Sequence, residues 1–294
     1  MIDGPAGAST LTHMTESVGV AGLVRERLGE CSPSERRVGR ALLAEYPSAG
    51  LETVASLAER AEVSAPTVLR FLSRLGFRGF PEFQRVLRAE LAERQASPLA
   101  AYAAPEDGTA GPRSRAADVL PQAVAGTLGD LPEAELERAV RLLADRQLRI
   151  TAAGGRFSTL LAQYLVFHLI QLRGNSRMLP AAPVERVDAL VDVGRKDLFV
   201  LFDFRRYEQP TQQLARSVSE RGARIILCTD RWLSPIAGLA DVVLPSRVDS
   251  PSMYDSFVPA LALLEVLVAG VVDKLGPAAQ ERLAAVEAVS QPYL

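Results

Sequence analysis

Three short stretches of this 294-residue chain carry side chains that together could hold a small anion. The first, Gly154-Gly155-Arg156-Phe157-Ser158, follows an apolar run and precedes a helical pattern. Paired glycines let a backbone approach a ligand closely, a helix start offers unpaired amides, and Ser158 adds a hydroxyl. The second, Asp203-Phe204-Arg205-Arg206-Tyr207, offers Arg205 and Arg206 as bidentate donors to a carboxylate or phosphate, with Asp203 either repelling an anion or orienting one arginine. The other reading of these arginines is a surface ion pair or a subunit contact. The third stretch, Val248 to Tyr254, contributes Ser250 and Ser252, which can contact ligand, cap the helix that follows, or do both.

Catalytic chemistry has poor support. A proton-moving isomerase needs a base such as His or Glu poised in a pocket. His13 lies close to the start of the chain, and His168 falls within an apolar helix as a core or interface residue would. Glu185 and Glu208 lie near the candidate loops without the spacing of a paired acid and base, and HExxH, GxSxG and Walker-type sequences are absent. The expectation is no catalytic residue and no enzyme. Cys31 and Cys228 are far apart and lack a CxxC partner, so neither a disulfide framework nor a cysteine metal site is suggested; no metal or cofactor is expected, and a reducing cytoplasm fits.

A second chemistry sits in the N-terminal third. Two helical patterns, Thr53 to Ala61 and Ser64 to Leu75, are joined by only Glu62 and Val63, a link short enough to force a steep helix-turn-helix crossing. Leu57 and Ala61 share one side of the first helix. Val68, Phe71, Leu72 and Leu75 share one side of the second, Val63 plugs the turn, and small Ala58 allows close approach. That leaves Ser64, Ala65, Pro66, Leu69, Arg70 and Ser73 facing outward, with Thr67 and Arg74 beside them, as candidate DNA contacts. Ser64 is placed as an N-cap and Pro66 in the first turn, so the helix start can face a DNA phosphate, and Arg70 can reach a guanine edge or a phosphate. Net charge is only −2, but from Ser64 to Arg88 five arginines stand against one glutamate, a local basic stretch suited to nucleic acid.

The elements that must position these groups fall in two domains. Length exceeds that of one ordinary domain, and 48% hydrophobic with 23% charged residues is a globular composition. Residues 1–20 read as a disordered leader with neither a signal peptide nor a membrane span. Residues 21–94 read as an all-α helix-turn-helix bundle, with a further helix capped by Ser34. Residues 95–115, rich in Ala, Pro and Gly, read as a linker, and 116–294 as an α/β domain. There, apolar runs at Leu148–Ala153, Leu198–Phe202, Arg224–Cys228 and Val242–Leu244 alternate with helices expected at Phe157–Leu172, Thr211–Arg221 and Tyr254–Leu275. That alternation predicts a three-layer α/β sandwich with a parallel sheet. Ligands of such sheets collect beyond the carboxyl ends of the strands, where the three loops lie. The last helix is apolar nearly all round, interrupted by Glu265 and with Pro259 early in it, and so predicts a subunit interface as well as a core.

The run Ser34 to Leu91, above all VSAPTVLRFLSRLGFRGFPEF from Val63 to Phe83, resembles the N-terminal domain of the RpiR-type regulators of sugar metabolism. In that family a SIS (sugar isomerase) domain that binds phosphosugars follows, and the second half of this chain is similar to one; the resemblance spans roughly residues 30–276. It implies ligand contact at the first loop and near the third. At the second loop the chain departs from the pattern: SIS domains have serines and threonines there, and Asp203 to Tyr207 has none, which points to an acid rather than a common phosphosugar. The combined expectation is a cytoplasmic homodimer or homotetramer that binds an inverted-repeat DNA operator and senses a small anionic metabolite, a sugar phosphate or sugar acid. Two alternatives stand beside it, an α/β domain that only oligomerises the DNA readers and a phosphosugar isomerase with an appended DNA domain.

Overall fold

The computed structural model describes residues 19–95, 97, 99 and 111–291. These fall into two compact units, within Met1–Asp107 plus Arg231–Gly238 and within Gly108–Asp230 plus Leu239–Leu294.

The first unit is helical. Residues 19–27 form α1, which a 3-10 turn, Leu28–Glu30, separates from α2 (Pro33–Ala44). The cap of α2 is Ser32, two residues earlier than the sequence suggested. Its hydroxyl accepts from the Glu35 amide at 3.4 Å, and the Glu35 carboxylate accepts from the Ser32 amide at 2.9 Å, a reciprocal box that Ser34 could not form because Glu35 stands three residues after Ser32. That amide bond is the first cause, ahead of Arg74, holding the Glu35 carboxyl below its ordinary range. A single turn, α3 (Ser48–Leu51), is followed by α4 (Val54–Arg60), α5 (Ala65–Arg74) and α6 (Phe80–Gln95). Leu57, Ala61, Val68, Phe71, Leu72 and Leu75 all enter one core with Leu42, Phe83 and Leu87. Of the expected leader only residues 19 and 20 lie among the described residues, and they are helical; of the expected linker, Pro112–Arg115 already belong to the next helix.

The second unit opens with α7 (Pro112–Asp130) and α8 (Glu133–Ala144). There follow β1 (Arg149–Gly154), α9 (Thr159–Leu172), β2 (Ser176–Met178), α10 (Pro183–Val191), β3 (Asp197–Asp203), α11 (Gln209–Glu220), β4 (Arg224–Asp230) and β5 (Val242–Ser246), then α12 (Val258–Leu275) and α13 (Pro277–Ser290). The five strands form a parallel sheet in the order β2-β1-β3-β4-β5. Every residue of central β3 is buried, as a strand covered on both faces requires. Because the order reverses between β1 and β3, right-handed crossovers diverge there and leave a crevice at the carboxyl ends of those two strands.

The strand missing from the sequence reading, β2, is three residues long and only partly buried, too short to show a period. Helix α12 starts at Val258, four residues later than expected, where the Ser256 hydroxyl accepts the Val258 amide at 3.2 Å. It packs against α7, α8 and α9, which accounts for its buried apolar face, while Val258, Leu261 and Val272 stay exposed.

Candidate functional site

On the DNA-reading side, the turn between α4 and α5 is as short as its sequence implied, and the Val63 amide donates to the Ala58 carbonyl at 2.9 Å across it. Glu62 takes φ 53°, which lets the chain reverse sharply without a glycine. Helix α5 buries Thr67, Val68, Phe71 and Leu72 and exposes Pro66, Leu69, Arg70, Ser73 and Arg74; Ser64 is also exposed and Ala65 half-buried. Ser64 has the extended backbone of a cap, but its hydroxyl pairs with the Thr67 hydroxyl at 3.0 Å and not with a backbone amide. Thr67 therefore does not face outward. Its hydroxyl accepts from Arg70 Nη2 at 3.0 Å and so holds the guanidinium end of that side chain. Arg74 reaches back to Glu35 at 3.3 Å, tying α5 to α2.

In the α/β unit, an open cavity of about 310 Å³ lies at the carboxyl ends of β1 and β2, walled on one side by Glu208 and the start of α11, the helix that follows β3. The first loop forms its floor. A Cβ on Gly154 would stand 2.6 Å from the Ser158 carbonyl carbon and 2.7 Å from the Thr159 nitrogen, so only glycine lets the strand turn this tightly into α9. Ser158 is buried; its hydroxyl accepts the Gly155 amide and donates to the Phe202 carbonyl, each at 2.9 Å, bracing the loop against the end of β3. Gly154, Gly155 and Arg156 line the cavity together with Thr159, Arg186 of α10 and Glu208.

The second and third loops turn toward each other. Arg205 makes a two-oxygen ion pair with Asp255, its Nε 3.0 and 2.8 Å from the carboxylate oxygens, and Nη2 adds a further bond. Its backbone amide donates to Asp230, which also accepts the Tyr207 hydroxyl at 2.6 Å. Asp203 is buried and accepts the Glu208 amide at 3.3 Å, while Arg206 is exposed. Ser250 and Ser252 bond each other at 3.3 Å and cap turns inside their own loop. None of Asp203, Arg205, Arg206, Tyr207, Ser250 or Ser252 lines the cavity. His168 stacks edge-on against Tyr164 within α9, with ring centroids 4.6 Å apart, and is likewise outside it.

Residues 18–94 match the helix-turn-helix domain of the rpiR family, and residues 142–270 match the SIS domain. This chain belongs to the RpiR-type transcriptional regulators. It is 29% identical over 267 residues to the HTH-type transcriptional regulator HexR of Pseudomonas aeruginosa, covering 86% of this chain and 89% of the relative. The Vibrio vulnificus NanR protein complexed with ManNAc-6P shares its fold at a TM-score of 0.54 and 19% identity, over 92% of this chain and 97% of NanR. The sugar isomerase domain of an RpiR transcription factor from Sphaerobacter thermophilus shares it at a TM-score of 0.53 and 24% identity, over 57% of this chain and 93% of that one.

In this RpiR-type regulator, Arg186 and Glu208 are the charged cavity residues that sequence reasoning did not assign to it. Arg186 stands on α10, a helix with Pro183 in its first turn and Val184, Val187 and Val191 at helical spacing, yet with no buried residue. Glu208 was noticed near a loop but weighed only as a general base. Among the described residues no group of three or more His, Cys, Asp or Glu side chains could hold a metal, and no helix is long and apolar enough to cross a membrane.

Proposed function

We propose that this regulator binds an operator through α5 and that a small anionic sugar derivative, seated in the cavity at the ends of β1 and β2 beside the start of α11, changes its operator affinity. The observation that carries the reading is the cavity itself: a glycine loop at a helix start, at the reversal point of the sheet, with Arg156 and Arg186 on its wall. NanR, which has this fold, is described with a phosphorylated sugar; sugar phosphates and sugar acids are therefore the classes to try first. On this reading the protein acts in the cytoplasm as a regulator and not as an enzyme, in keeping with relatives that are named transcriptional regulators.

Exposed apolar side chains around α9, namely Phe157, Leu160 and Phe167, continue onto Leu261 of the adjoining α12, and the Tyr164 hydroxyl bonds Glu265 between the two helices. Such a patch favours a homodimer or homotetramer joined through these helices, which would present paired α5 helices to an inverted-repeat operator. It equally supports a second reading, in which the SIS domain only oligomerises the DNA readers.

Coupling requires the ligand to bind the two DNA-binding arrangements with different affinity. Fluorescence anisotropy on an operator selected from random DNA tests this with and without the compound, from a panel of sugar phosphates and sugar acids, that raises the unfolding midpoint. Equal operator affinity at saturation refutes coupling. On the same operator Arg70→Ala should weaken specific binding by about 1–3 kcal/mol while leaving the unfolding midpoint nearly unchanged.

A further inference from the structure

Glu208 occupies the N-cap position of α11 but does not cap that helix. Its carboxylate instead crosses to the first loop, where Oε1 accepts the Arg156 amide at 3.2 Å and lies 2.5 Å from where a Cβ on Gly155 would stand. A second amide of the loop, that of Gly155, is already bonded to Ser158. One amide at this edge of the loop thus already holds an anion from the chain itself, and the absence of a side chain on Gly155 is what makes room for it. The Glu208 backbone is fixed in turn, its amide donating to buried Asp203.

We propose that Glu208 determines the ligand class of the cavity, which takes a polyhydroxylated monocarboxylate in preference to a phosphate ester. The inference rests on reading this cavity as the ligand site. A phosphate set on the loop would meet the Glu208 carboxylate at contact distance, two like charges in a partly enclosed site. A carboxylate held in the same position is an acceptor for ligand hydroxyls. Arg186, on the opposite wall and with its Nε anchored on the Pro180 carbonyl at 3.2 Å, offers its remaining donors to the ligand's single negative charge, and exposed Arg156 adds a second cation.

Calorimetric titration of the full-length wild type, Glu208→Gln and Glu208→Ala with inorganic phosphate and with glucuronate tests this. Thermal melts without ligand show that both variants are folded. The expected result is that phosphate binds each variant about tenfold or more tightly than it binds the wild type, while glucuronate binding weakens about tenfold in both. Wild type that binds phosphate as tightly as the variants do, or that fails to bind glucuronate, overturns the inference. Arg186→Ala separates the two levels: if it leaves the binding of both probes untouched the cavity is not the ligand site, whereas if it abolishes binding and the Glu208 variants keep the wild-type preference, only the role of Glu208 fails.

Discussion

Replacing Arg205 by alanine, Asp255 by alanine, and both together isolates the contact that joins the second and third loops. The two side chains are 20% and 21% exposed, and Arg205 bonds both carboxylate oxygens. Two unit charges about 4 Å apart at an effective dielectric constant near 20 attract by about 4 kcal/mol. Desolvation and the ordering of two side chains offset much of that, and fully exposed pairs settle below about 1 kcal/mol while breaking fully buried ones costs about 3–5 kcal/mol. Four-fifths burial with paired geometry places the expected coupling energy at about 1–2.5 kcal/mol. Urea denaturation of the four proteins, followed by circular dichroism, measures it; a coupling below about 0.5 kcal/mol would refute the pairing. Arg205 would then be a cation available to a ligand, as its sequence first suggested.

Gly154→Ala should lower the unfolding free energy by about 1–3 kcal/mol, because its Cβ meets backbone atoms of Ser158 and Thr159 that cannot swing aside; urea midpoints would show it. Glu90 sits buried in the helical unit, accepting the Val20 amide at 2.8 Å and bonded to Tyr46, and burial pushes its carboxyl above the ordinary range. Its charge therefore opposes folding above the folded-state pKa, and the penalty vanishes as pH falls through that value. Glu90→Gln should raise the melting temperature at pH 7 and lose its advantage as the pH is lowered to about 4, where both forms are neutral.

What the sequence disclosed follows from how each element earns its place. Helices α4 and α5 were legible because Leu57, Val68, Phe71 and Leu72 repeat at helical spacing around a two-residue turn, and β1, β3, β4 and β5 because buried parallel strands are uninterrupted apolar runs. Strand β2 was not, since three partly exposed residues are too few to show a period, and helix α10, although Val184, Val187 and Val191 recur at helical spacing, is a nine-residue element that buries none of them. The site was legible to the same extent. Gly154, Gly155 and Arg156 are local to one turn, so their placement follows from strand, loop and helix order. Arg186 reaches the cavity from a helix and Glu208 from the start of another, and Arg205 reaches Asp255 across 50 residues; pairings between distant segments leave no mark in local spacing.

On α5, the residues divide by duty. Leu69, Arg70 and Ser73 contribute little to the core, whereas Thr67 is buried and, through its hydroxyl, links Ser64 at the start of the helix to Arg70 one turn on. On the proposed reading of α5 as the operator-contacting helix, positions 69 and 73 can change, by drift or by design, at small expense to folding. Position 67 is the hinge of that freedom: changing it re-aims the arginine and loosens the helix in one step, so lineages that change operator should do so around a fixed threonine.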